Sequence, residues 1–172
     1  MAANLPQIIR HYRQFKNANP DTWKAHCQSR NNLHDAIHFA ALCRDASNRK
    51  HPHQYRLPIS VLSTFETQLL NQSTAINSLT DFDALYRFIN SIKPLGVGIL
   101  TAYDVAIRIA AFLSLEPTLV YLHAGTRTGA EKLLGRINAD VIPKSALPNE
   151  LKSSQLTCYE LEDLLCIYKD RF

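Results

Sequence analysis

The feature that most constrains this chain is an apolar segment near its middle. Residues 100–113 carry small or apolar side chains on nearly every face of a helix. A helix of this kind must be buried among other elements, so the segment predicts a central core helix. Its polar exceptions include Asp104 and Arg108, which are four residues apart and share one face. They predict either an ion pair with a structural role or, for Asp104, a position at the edge of a pocket.

A tight turn precedes this helix. Residues 81–93 also show helical apolar spacing, and a proline and a Gly-x-Gly sequence separate them from the core helix. The two glycines permit positive φ and a close approach of the backbone. The following helix directs its free N–H groups out of the turn, so the turn is suited to holding a phosphate. The pattern predicts a helix-hairpin-helix at residues 81–113. The predicted phosphate contacts are Lys93, Gly96, Val97 and Gly98.

The rest of the chain predicts further helices and no sheet. No segment alternates polar and apolar residues for long enough to indicate a strand, and residues 73–80 and 138–151 are interpreted as connecting segments. A length of 172 residues with 46% apolar and 20% charged residues is typical of one globular core. We therefore predict an all-α fold, a single helical domain over residues 1–172. The other predicted helices cover residues 5–17, 20–27, 32–44, 58–71 and 158–171, with one more through residues 133 and 134.

Composition limits the compartment and the partners. No apolar run approaches the ~18 residues that would indicate a membrane span, and the first residues lack the apolar centre of a signal peptide. The four cysteines form no CxxC pair, which indicates reduced thiols. We expect a cytoplasmic protein without a membrane partner. Residues 1–58 carry nine Lys or Arg against three Asp or Glu, so this half is suited either to an acidic partner or simply to a solvated surface.

The sequence predicts no metal ion and no cofactor. His34 and His38 are one helical turn apart, a spacing that suits a metal. No third ligand follows at a motif spacing. Two histidines on a partly exposed helix face are the simpler interpretation.

A basic loop at residues 49–56 is the densest cluster of positive charge in the chain. It reads Arg-Lys-His-Pro-His-Gln-Tyr-Arg, which combines donors for phosphate with amide and aromatic groups for bases. A solvated loop is the alternative interpretation. The residues that we expect to bind an anion here are His53, Gln54 and Arg56.

A second polar block, residues 120–130, follows one helix after the hairpin. It places Tyr121, His123 and Arg127 near two glycines. A His and an Arg buried together repel each other and need acceptors, which is hard to explain by packing alone. We therefore predict that His123 and Arg127 approach the basic loop and form one pocket for an anionic ligand. In the alternative, the two segments merely fasten each other, with His123 bonded to a backbone carbonyl.

The hairpin carries a family resemblance. The sequence Leu95-Gly96-Val97-Gly98 with Thr101-Ala102 and Val105 resembles the hairpin of the helix-hairpin-helix DNA glycosylase superfamily, and residues 120–123 with 133–135 look like that family's next segment. The resemblance implies a glycosylase-like fold and a hairpin that faces DNA. Tyr121 stands where the family has its catalytic aspartate, and Leu100 stands where bifunctional members have a lysine.

Several functions are compatible with these patterns. The first is a DNA-associated protein, including a divergent glycosylase-like enzyme that acts on DNA. A phenol cannot replace a carboxylate at neutral pH, so other groups would have to act. The alternatives are a non-catalytic interaction, immunity or regulatory module with a protein partner, and an enzyme acting on a nucleotide or nucleoside. The candidate catalytic residues are His123, which transfers protons near pH 7, Asp104 and Tyr121.

Overall fold

A computed structural model describes residues 4–172 of the chain. It divides them into two compact units. The central unit is Asp21–Glu116, and the terminal unit joins the N-terminal segment up to Pro20 with Pro117–Phe172. Residues 4–172 form ten α-helices and one two-stranded sheet, which confirms a mostly helical chain. That the chain is a single domain stays a prediction.

The central unit is built around the predicted core helix. Helix α7, Ile99–Leu113, packs against α2, α3 and α6, and it buries every residue from Thr101 to Ala111 except Asp104. Small side chains let the neighbouring helices approach closely on several sides. The helices of this unit are α2 (Thr22–Gln28), α3 (Leu33–Leu42), α4 (Ile59–Asn71), α5 (Ser73–Asn77), α6 (Phe82–Ile92) and α7, with a 3-10 turn at Pro52–Gln54.

The terminal unit has a separate apolar core. Its largest helix contact is between α8 and α10, and side chains of α1 belong to the same core. Thr157 and Glu160 form the capping box that a Thr-x-x-Glu sequence predicts at the start of α10. The elements are α1 (Leu5–Ala18), β1 (Leu119–Tyr121), α8 (Ala124–Leu134), β2 (Val141–Pro143), α9 (Asn149–Lys152) and α10 (Cys158–Ile167), with 3-10 turns at Lys144–Ala146 and Lys169–Arg171.

Three details differ from the sequence-based expectation. The strands β1 and β2 pair antiparallel, with Val120 opposite Ile142, although no sheet was expected. Each strand has only three residues, too few for an alternating pattern to be visible in the sequence. The expected connector at residues 73–80 contains α5, and the expected loop at 138–151 contains β2 and α9. No helix among residues 4–172 combines the length and the apolar character that crossing a membrane requires.

Candidate functional site

A tight turn joins α6 to α7. Helix α6 ends at Ile92, and the Val97 N–H donates to the Pro94 carbonyl at 3.1 Å, which closes the turn. Gly96 has φ of +93°, the left-handed region in which a side chain is strained. Val97 is buried and anchors the turn to the unit.

Gly98 has a different role from Gly96. Its φ is −77°, an ordinary extended value, so the expected positive φ is found only at Gly96. Gly98 is the N-cap residue of α7 and has no side chain with which to cap the helix. The first N–H groups of a helix have no acceptor within it, and a Cβ on Gly98 would meet nothing within 4 Å. The start of α7 is therefore open to an external acceptor.

The tip of the hairpin is also apolar. Leu95 is fully exposed, and Ile99, the first residue of α7, is 55% exposed. Both lie beside the exposed glycines of the turn. Unless a ligand or partner covers the turn, these apolar side chains face solvent.

The basic loop is held by one buried carboxylate. Asp45 accepts hydrogen bonds from the backbone N–H groups of Ser47 and Arg49, at 3.0 and 2.9 Å, and from the Arg49 side chain. The Thr22 hydroxyl also donates to it at 3.2 Å. Burial by itself would raise the pKa of Asp45, but these hydrogen bonds lower it to about 2. These hydrogen bonds to Asp45 fix the direction of the backbone where the chain enters the basic loop.

The Asp45 carboxylate predicts a pH dependence of stability. Its pKa in the folded protein, about 2, lies below its ordinary value of 3.8. Its contribution is therefore complete above pH 4 and is lost as the pH falls through about 2. We expect the free energy of unfolding, measured by urea titration, to decrease less steeply between pH 4 and pH 2 in Asp45→Asn than in the wild type. Asp35→Asn, at an exposed aspartate of α3, controls for the loss of one surface charge, and a variant curve parallel to the wild type would contradict this role.

A 3-10 turn then presents two histidines. Pro52 begins the turn, and the His51 ring nitrogen Nδ1 accepts the His53 backbone N–H at 3.2 Å. The Trp23 ring packs edge-on against the His51 ring, with 4.6 Å between centroids. Burial and the nearby Arg108 lower the pKa of His51 to about 4, so its imidazole is neutral at pH 7.

Asp104 of α7 meets this turn. Its Oδ2 lies 3.0 Å from Nδ1 of His53 and accepts the Gln54 amide at 2.6 Å. Asp104 is one of the few partly exposed positions of a buried helix, and its side chain is 15% exposed. Asp104 therefore contacts the basic loop at an edge of the core, and its place in a ligand pocket stays a prediction.

Arg108 lies behind this contact. It is buried, and it donates to Oε1 of Gln54 at 3.3 Å and to the Ala40 carbonyl at 3.4 Å. Gln54 thus bridges Asp104 and Arg108 through its two amide ends. Burial opposes the charge on both groups. Hydrogen bonds from His53 and Gln54, together with the positive charge of Arg108, nevertheless lower the pKa of Asp104. The neighbouring Cys43 and the carboxylate of Asp104 raise the pKa of Arg108.

The cluster of His51, His53, Gln54, Asp104 and Arg108 can act in two ways. An Asp–His pair fixes the orientation of the imidazole, as general acid–base catalysis requires. The same residues also offer metal ligands, because one ligand atom each from His51, His53 and Asp104 lies within 4.8 Å of the others. The sequence-based reasoning did not select His51, although its His-x-His spacing with His53 was visible, and it expected of Arg108 only a structural ion pair with Asp104.

The other two residues of the basic loop that were expected to bind an anion, Gln54 and Arg56, differ in exposure. Gln54 is fully buried, so it positions its neighbours instead of facing an anion. Arg56 is exposed, and its anion-binding role stays a prediction. His34 lies 3.1 Å from the Ser73 hydroxyl, and His38 lies 2.5 Å from Glu66, so these two rings have separate partners.

The second polar block lies in the terminal unit. Tyr121 is buried in β1, and its ring stacks on His123 with 6.1 Å between centroids. His123 is the N-cap residue of α8. Arg127 donates to the carbonyls of Ile137 and Ala139, at 3.0 and 3.1 Å, and pairs with Asp140.

These contacts give Arg127 a structural role within its own unit. Its guanidinium links α8 to the segment that leads into β2, and its ability to bind an anion stays a prediction. The basic loop belongs to the central unit, so the pocket expected between the two segments also stays a prediction. The catalytic roles expected of His123 and Tyr121 also stay predictions.

Comparison with known proteins identified no relative of this chain. No family model matches this sequence, and neither a curated protein nor a solved structure matches it. The likeness to helix-hairpin-helix DNA glycosylases therefore depends on the sequence of the hairpin and of residues 120–123 and 133–135 alone.

Proposed function

We propose that the central unit binds the phosphate backbone of DNA through the hairpin at Lys93 to Ile99. The observation that carries this proposal is the open start of α7, where a glycine caps the helix and leaves the first backbone N–H groups available. A helix N-terminus combines such donors with the positive end of the helix dipole, which favours an anion. Lys93, the last residue before the turn proper, adds a formal positive charge.

The neighbouring basic loop supports the same ligand. Asp104 lies six residues after Gly98, or about 9 Å along α7, so the loop residues that contact it, His53 and Gln54, lie less than two turns from the start of the helix. That loop exposes Tyr55, which is 75% accessible, and Arg56. An aromatic ring and a guanidinium are suited to stacking on bases and to contacting phosphate. We expect binding with little sequence preference, because backbone amides and Lys93 carry no base code.

The test is a pair of substitutions at Ile99, the first residue of α7. Ile99→Pro removes one backbone N–H, and proline is tolerated there because the preceding Gly98 already has an extended conformation. Ile99→Ala removes the same side chain and keeps the amide. We expect the proline variant to bind duplex DNA about tenfold more weakly than the alanine variant, since a hydrogen bond to a charged group contributes about 1.5 kcal/mol. Fluorescence anisotropy at several salt concentrations measures the binding.

A second arm of the same titration isolates the charge. Wild-type affinity should fall steeply with salt, and Lys93→Ala should reduce the logarithmic slope by about 0.9, the value for one phosphate contact. Arg87→Ala removes a positive charge from α6, the helix that precedes Lys93, and should leave the slope unchanged. Equal binding by the two Ile99 variants would refute the role of the amides. If neither duplex nor single-stranded DNA bound at low salt, the exposed Leu95 and Ile99 would favour a protein-interaction module instead.

A further inference from the structure

The geometry points to a transition-metal site formed by His51, His53 and Asp104. One ligand atom from each of these side chains lies within 4.8 Å of the other two. The Nδ1 of His53 and Oδ2 of Asp104 are already 3.0 Å apart. Two ligands of one ion, each about 2.0 to 2.2 Å from it, lie at a similar separation, so little movement is required. This inference departs from the sequence-based expectation of no metal, and it is independent of DNA binding.

The local structure holds the three side chains in place. His51 and His53 flank Pro52 in the 3-10 turn, and the His51 ring lies between the Trp23 ring and the His53 ring, at 4.6 and 4.7 Å. Asp104 is fixed on a buried helix. Sites built on rigid elements require less ordering when the ion binds.

A second layer of hydrogen bonds supports the carboxylate. The Gln54 amide donates to Oδ2 of Asp104 at 2.6 Å, and Arg108 in turn donates to Gln54. Such outer partners orient metal ligands in known sites. The buried charge of Arg108 also opposes a cation, so we expect weaker binding than in a closed site with four protein ligands.

The ligand types select the ion. Two imidazoles and one carboxylate suit Zn²⁺, Co²⁺ or Fe²⁺, whereas Mg²⁺ and Ca²⁺ prefer oxygen ligands. Three protein ligands leave coordination positions for water or for an anionic oxygen, as in catalytic zinc sites and unlike structural ones. The site is therefore of the kind that binds a substrate or a water molecule.

The experiment titrates the full-length protein, treated with a chelator, with Co²⁺ and records its visible absorption. We expect one ion per chain, displacement by Zn²⁺, and no displacement by Mg²⁺ at the same concentration. His53→Ala should weaken Co²⁺ binding at least tenfold, and His51→Ala and Asp104→Asn should do the same. His34→Ala, at another exposed histidine of the central unit, should bind as the wild type does.

A second measurement guards against misfolded variants. Zn²⁺ should raise the unfolding midpoint of the wild type and of His34→Ala, because an ion that binds only the folded state stabilises it. The midpoint of His53→Ala should not respond, while its circular dichroism spectrum in the absence of metal matches the wild type. Absence of Co²⁺ binding would overturn the site. Binding that persists in both His51→Ala and His53→Ala would place the ion elsewhere and would also overturn it.

Discussion

Gly129→Ala should destabilise the protein by about 3 kcal/mol, the upper part of the range for overpacking a core. A Cβ at residue 129 would lie 2.2 Å from the carbonyl oxygen of Leu165 and 3.0 Å from its carbonyl carbon. Both atoms belong to the backbone of α10, so no side-chain rotation relieves the clash. The two helices would have to separate along their main contact in the terminal unit.

The sign of the change in the free energy of unfolding distinguishes a close contact between α8 and α10 from a loose one. In a helix interior, alanine is favoured over glycine by about 1 kcal/mol, so Gly129→Ala would stabilise the protein if the contact were loose. Urea unfolding followed by far-ultraviolet circular dichroism measures the change. Thr128→Ala, at the exposed neighbouring position on α8, should change the free energy of unfolding by less than about 0.5 kcal/mol. An unchanged or increased stability of Gly129→Ala would show that α8 and α10 do not pack this closely.

Asp104→Ala should cost about 3 kcal/mol in the absence of metal, because it leaves buried charge and polar groups without their partners. The substitution removes the acceptor of the buried Gln54 amide and the carboxylate that balances buried Arg108. Asp104→Asn retains an oxygen acceptor and removes only the charge. We therefore expect it to cost less than Asp104→Ala, and urea unfolding with a chelator present measures both.

A double-mutant cycle isolates the electrostatic part. An Arg108→Met background removes the buried cation beside Asp104, so Asp104→Asn should cost about 1 to 3 kcal/mol less there than in the wild type. Independent, additive effects of the two substitutions would mean that the charges are not coupled through Gln54. Equal costs for Asp104→Ala and Asp104→Asn would mean that the hydrogen bonds contribute little.

Much of the local structure follows from the sequence. The core helix was predicted at residues 100–113 and begins at Ile99, and α6 lies inside the range 81–93. These helices are long and have strong apolar periodicity, so their local pattern and their tertiary surroundings favour the same conformation. The capping box at Thr157 was predictable for the same reason, since it is made within four consecutive residues.

Short elements were less predictable. Helix α2 begins at Thr22 with Asp21 as its N-cap, whereas the sequence predicted a start at residue 20. Helix α5 and the strands β1 and β2 are three to five residues long. Elements of that length are stabilised by their neighbours and leave little periodic signal in the sequence.

In the candidate site, some features follow from the sequence and others depend on the tertiary structure. The sequence by itself determined that Asp104 and Arg108 are charged residues in an otherwise apolar helix, and that His53 and Gln54 belong to a polar loop. Only the tertiary structure decided that the loop folds back onto α7, about 50 residues along the chain, and that Gln54 is buried between the carboxylate and the guanidinium. Residue spacing fixes which side chains share a face of one helix. The partner of a buried charge depends on long-range packing, because burial makes an unpaired charge too costly and selects a neighbour from whichever segment lies next to it.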